Sequence, residues 1–202
     1  HKDNAGHEGV IEPGGVQWMT AGKGIVHSEM PEQQDGLLQG FQLWVNLPAA
    51  EKMRAPGYQE FPAEKIVEQK LAGGGRLRII AGQSSEGARG PVVNPYVSPT
   101  YMDVSLALEQ HFVQSLPVAD NVFIYVINGA LRVGQSGQRL EEKQLGLLGP
   151  GVQVSVQASQ EARFLLVAAQ PLNEPIARAG PFVMNTRAEI LQAFEDFQNN
   201  RF

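Results

Sequence analysis

Residues 13–31 read PGGVQWMTAGKGIVHSEMP, from Pro13 to Pro31. Two short apolar runs, 16–20 and 24–29, follow a Pro-Gly pair and are separated by three residues. The whole chain is punctuated in this way, with 22 Gly and 13 Pro among 202 residues. The runs between them are short and rich in Val, Ile, Leu and Phe, which is the spacing of a β-barrel or β-sandwich.

The same reading predicts strands near 9–11, 37–46, 66–72, 77–81, 102–108, 111–116, 121–127, 130–133, 144–148, 152–156 and 162–169. Gly73-Gly74-Gly75 and Ser136-Gly137 suit tight hairpins. The segment Glu12-Pro13-Gly14-Gly15-Val16-Gln17 is echoed by Gly149-Pro150-Gly151-Val152-Gln153, an outline that suggests duplicated β-domains. Three prolines in RGPVVNPYVSP, residues 89–99, mark the joint. The end of the chain differs. Thr186 followed three residues later by Glu189 is a capping-box signal, and Ile190, Leu191, Phe194 and Phe197 recur at helical spacing. This predicts a C-terminal amphipathic helix at about 187–199.

A hydrophobic fraction of 43% is ample for a buried core. The formal net charge of -5 and the lack of a Lys/Arg run argue against direct nucleic-acid binding. With no cysteine, disulfides and thiolate ligands are excluded, so any metal here takes N/O ligands. No apolar run approaches bilayer-spanning length and no signal-peptide pattern opens the chain, so the expectation is a cytoplasmic protein without membrane contact. The first residues, HKDNAGHEGV, carry no initiator Met and read as a strand end and a turn. The expectation is a gene product with residues ahead of His1.

Chemistry concentrates at His27-Ser28-Glu29. On a strand, positions two apart share a face, so an imidazole and a carboxylate stand together and can hold a first-row metal. The same three letters also describe a partly exposed His beside a solvated Glu, the commoner state of such pairs. Glu29 is a candidate ligand and catalytic base, and His27 a candidate ligand. Gln42 and Trp44 share one face of the run at 37–46 and are candidates to line a pocket, with core packing equally open to Trp44. His1, His7 and His111 are unclustered and read as surface or structural residues.

Three stretches together carry a family resemblance: QWMTAGKGIVHSEMP (17–31), LQGFQLWVNLP followed by Glu51-Lys52-Met53, and GPFVMNT (180–186). In order, and over nearly the whole chain, they resemble the pirin family of bicupins. The resemblance implies an all-β fold of two cupin barrels packed together, with a C-terminal α-helix. An N-terminal cupin at 1–92 would bear one metal, and a C-terminal cupin at 93–202, without a metal site, would end in the helix. It implies a mononuclear metal, usually Fe(II), held by an H-x-H pair and an H-x-E pair. His27 and Glu29 match the second pair; the first has no match in this sequence, so these 202 residues alone are expected to hold iron weakly. It implies quercetin (flavonol) 2,3-dioxygenase activity on a flavonol and O₂. The alternative it implies is a metal- or redox-sensitive regulator that binds other proteins. The same site serves both readings.

Overall fold

The computed structural model describes residues 1–4, 6, 8–31 and 35–202. Among them the chain forms sixteen strands and one α-helix, and clusters into two compact units. The first unit comprises His1–Pro13, Gln17–Glu60 and Leu172–Phe202, the second Gly14–Val16 and Phe61–Pro171.

In the first unit β1 (Lys2–Asp3) pairs antiparallel with β3 (His27–Ser28), placing Asp3 opposite His27. β2 (Val16–Thr20), where the reading of 13–31 put it, pairs with β4 (Gly57–Phe61). The run at 37–46 is a correction: it forms no strand, and Leu37, Leu38, Phe41 and Trp44 stay exposed. Its apolar character predicts a strand, but among the described residues no neighbouring strand offers it a ladder.

The second unit is built from two sheets. Its members are β5 (Val67–Lys70), β6 (Arg76–Ala81), β7 (Thr100–Leu106), β8 (His111–Ser115), β9 (Asn121–Asn128), β10 (Ala130–Val133), β11 (Gln138–Glu141), β12 (Leu145–Leu148), β13 (Gln153–Ala158) and β14 (Ala162–Ala169). One sheet runs β12-β9-β14-β7-β6-β5 and the other β11-β10-β13-β8. Strict alternation in β8, with Phe112 and Gln114 inward and His111, Val113 and Ser115 outward, is the period-two pattern of a strand covered on one face. Both sheets contribute to one core around Met102, Val104, Ile124, Leu131, Val156 and Phe164. Both predicted hairpins form. Leu71 and Gly75 close the β5–β6 turn, and Val133 faces Gln138 across the β10–β11 turn.

One departure from alternation has a local cause. Val126 and Ile127 are consecutive and both buried, and the β9–β14 register slips between Arg163 and Phe164. The bulge breaks the alternation there, with Val126 in the core and Ile127 buried outside it. The chain then turns at Gly129 into β10 of the other sheet. Gly129 has φ +78° and lies so close to Glu161 that a Cβ would stand 2.0 Å from its carbonyl oxygen. Only glycine satisfies that corner.

The remaining elements, β15 (Ala177–Ala179), β16 (Phe182–Met184) and α1 (Arg187–Gln198), belong to the first unit. The helix begins as predicted: the Glu189 amide donates to the Thr186 hydroxyl, and the Glu189 carboxylate accepts from the Thr186 amide. Its aromatic stripe is packing, since Phe194 and Phe197 meet Phe182 edge-on at 4.9 and 6.2 Å between ring centres. Lys52 Nζ, buried, donates to Asn46 Oδ1 at 2.5 Å and to the Val183 carbonyl at 3.4 Å. Burial lowers its pKa against the opposing pull of Glu174 and Glu189. Two stretches 131 residues apart in sequence, around Lys52 and around Val183, thus meet at one buried ammonium.

Candidate metal centre

His27 and Glu29 lie at the end of β3, whose backbone is held by the ladder to β1. Nearby, the Asn4 amide donates to the Val26 carbonyl at 2.9 Å, and the Val26 amide to Asn4 Oδ1 at 3.2 Å. This pairing fixes the strand before the two side chains. His27 Nε2 stands 3.9 Å from Glu29 Oε1, with 29% of the imidazole and 52% of the carboxylate side chain exposed. Gln42 Nε2 donates to the other carboxylate oxygen, Oε2, at 3.4 Å. Gln42 therefore reaches the pair from a segment without strand structure, whereas Trp44 is 62% exposed and does not pack in a core.

A second polar group in this unit centres on His1, whose imidazole is nearly fully buried. Its Nε2 lies 2.8 Å from Glu60 Oε1 and 2.7 Å from Gln17 Nε2, and Gln17 also donates to Glu60 at 2.8 Å. The ring stacks on Tyr58 at 5.9 Å. Tyr58 in turn is pushed up to about 12, first by burial, then by Asp3 beside it and by the charges of Glu60 and Glu29. His1 is thus held by partners of its own unit, and His111 sits exposed at the start of β8. His7 lies outside the described residues. The residues missed in the sequence are Tyr58 and Glu60. Their signal was GYQEF, residues 57–61, a short aromatic-flanked run whose positions 58 and 60 share one strand face.

One imidazole and one carboxylate facing each other are donors that suit a divalent first-row ion. They fit two corners of such a site. Among the described residues no third His, Asp or Glu joins them in a group able to hold an ion.

The comparisons with known proteins agree on lineage. Residues 101–202 match the family described as the pirin C-terminal cupin domain, and residues 1–45 the family described as pirin. A pirin-like protein of Caulobacter vibrioides is 48% identical over 204 residues, covering all of this chain and 72% of that protein. A quercetin 2,3-dioxygenase structure from Acinetobacter baumannii superposes with a TM-score of 0.85 at 34% identity, covering all of this chain and 71% of the other. A bacterial pirin from Escherichia coli, solved in complex with nickel(II), shares the fold at a TM-score of 0.54 and 17% identity, over 84% of this chain and 67% of that one. The fold is thus an all-β cupin architecture ending in a single helix. The chain belongs to the pirin family. Among the described residues no helix is long and apolar enough to cross a membrane.

Proposed function

We propose that this chain serves a quercetin 2,3-dioxygenase-type oxidoreductase, with His27 and Glu29 as ligands of a divalent first-row metal, Fe(II) by the family pattern. The observation that carries the reading is the His27–Glu29 pair, 3.9 Å apart with a single amide on the far carboxylate oxygen. The dioxygenase relative that matches along the whole chain supports the substrate class, a flavonol and O₂. When bound, the metal supplies Lewis acidity and redox chemistry toward those two substrates.

The chain's own residues do the rest. His27 presents an imidazole on a backbone held by β1, so its direction is set by the ladder rather than by a flexible loop. Gln42 donates to Glu29 Oε2 and leaves Oε1 toward His27. If it moves off the metal, the Glu29 carboxylate is also the base that takes the proton of a flavonol hydroxyl. The family's ligand set is completed by two histidines of an H-x-H motif that has no match in the 202 residues. In the same reading, 1–92 and 93–202 are the two cupins. Residues 61–92 of the first and 172–202 of the second then each cluster with the other compact unit. The absence of cysteine accords with a reducing cytoplasm.

The test is quercetin-dependent O₂ consumption by an iron-loaded chimera carrying the family's H-x-H segment ahead of His1. Turnover is expected in the chimera and a loss of at least about 100-fold in its His27→Ala form. Turnover unchanged by that substitution would sink the reading.

A further inference from the structure

The 172–202 segment contains four carboxylates, and each is engaged. Glu174 accepts from the Ala49 amide at 2.8 Å and from Asn185 Nδ2 at 3.0 Å. Glu189 closes the helix cap, while Glu195 and Asp196 both take Arg201, at 2.9 and 3.3 Å. Of the segment's three arginines this leaves Arg178 and Arg187, for which no carboxylate among the described residues stands within ion-pair reach.

Both line the same groove, on the face where β15 approaches α1. The groove is open to solvent along much of its length and has a volume of about 420 Å³, within the range of small-molecule sites. Its floor is apolar, formed by Ala179, Ile190 and Phe194, with Leu191 at 61% exposure beside them. Arg187 stands in the first turn of α1, where the helix dipole also favours an anion over a cation. On a chain of net charge -5, two arginines without an ion-pair partner among the described residues, both lining an apolar groove, form a local feature of opposite sign. A ligand complementary to it has an anionic head and an apolar body.

We propose that this groove binds a small amphipathic carboxylate, its head group held by Arg178 and Arg187 and its apolar body by Ile190, Leu191 and Phe194. The site is separate from His27 and Glu29 and does not depend on the dioxygenase reading.

The test is titration of the 202-residue chain with decanoate below its micelle concentration, followed by methyl NMR of Ile190 and Leu191. Decanol serves as the neutral probe. Saturable shifts at these methyls are expected, with decanol weaker by about tenfold and the double variant Arg178→Gln/Arg187→Gln weakened to the level of decanol. Both arginines are on the surface, and unchanged methyl dispersion in the variant confirms its fold. Absence of saturable shifts, equal affinity for decanol, or full affinity in the double variant would each overturn the proposal. So would concentration-dependent broadening of these methyls without decanoate, which marks a second copy of the chain as the occupant.

Discussion

Arg163 grips Asp103 with two parallel hydrogen bonds, Nε to Oδ1 at 2.9 Å and Nη2 to Oδ2 at 2.7 Å. Arg163 is on β14 and Asp103 on β7, at diagonal positions, since Arg163 pairs with Ser105 and Leu165 with Asp103. From the opposite neighbour, Arg78 on β6 lies directly across from Asp103, with Nη1 at 3.6 Å from Oδ2. The central strand therefore buries one carboxylate on its non-core face and holds it from both sides. Arg163→Ala leaves a buried charge with only the longer contact, and is expected to cost about 2 kcal/mol. Urea unfolding checks this; a loss within about 0.5 kcal/mol, the range of ordinary surface changes, would contradict it.

The Gly129 corner gives a sharper packing prediction. Gly129→Ala places a methyl against the Glu161 carbonyl and asks an L-residue to hold φ +78°. The expected cost is about 2 kcal/mol. Thermal unfolding should show the lowered midpoint, and an unchanged midpoint would mean that the corner relaxes freely.

At the helix start, Thr186→Ala removes the hydroxyl that accepts from the Glu189 amide. About 1 kcal/mol of local stability is expected to be lost. Hydrogen exchange of the α1 amides should accelerate while those of β7 and β14 stay slow, because the cap serves only its own unit.

Tyr58 predicts an alkaline signature. Its pKa is raised from 10.0 to about 12, so between those values the folded chain retains a proton that the unfolded chain has lost. Folding stability from this group is complete below about 10 and falls as pH rises toward 12. Phenolate absorbance should show a late-titrating tyrosine that Tyr58→Phe removes, and the variant's stability should decline less over that window. A titration curve missing no late component in Tyr58→Phe would contradict the assignment.

What the sequence makes legible follows from locality. β8, β10 and β14 announce themselves because each carries its own alternation or apolar run, and the Thr186–Glu189 cap because both partners lie within one turn. The run at 37–46 misleads for the converse reason: Leu37, Phe41 and Trp44 suit a strand, but a strand needs a partner, which composition does not report. Short polar strands such as β4 and β11 escape notice because their identity comes from the ladder. The same division runs through the site. His27 and Glu29 are two residues apart and visible, whereas Gln42 on Glu29, and Glu60 with Gln17 on His1, are long-range contacts that only the fold creates.

Whether His27 and Glu29 hold the metal is decided by iron stoichiometry. Elemental analysis should be run on the 202-residue chain and on the chimera bearing the family's H-x-H segment, each with intact mass confirmed. Weak, substoichiometric iron is expected in the 202-residue chain and about one iron per chain in the chimera. A loss of at least about tenfold in iron affinity is expected when the chimera carries His27→Ala or Glu29→Ala. Iron retained at full stoichiometry and affinity in both variants would contradict it.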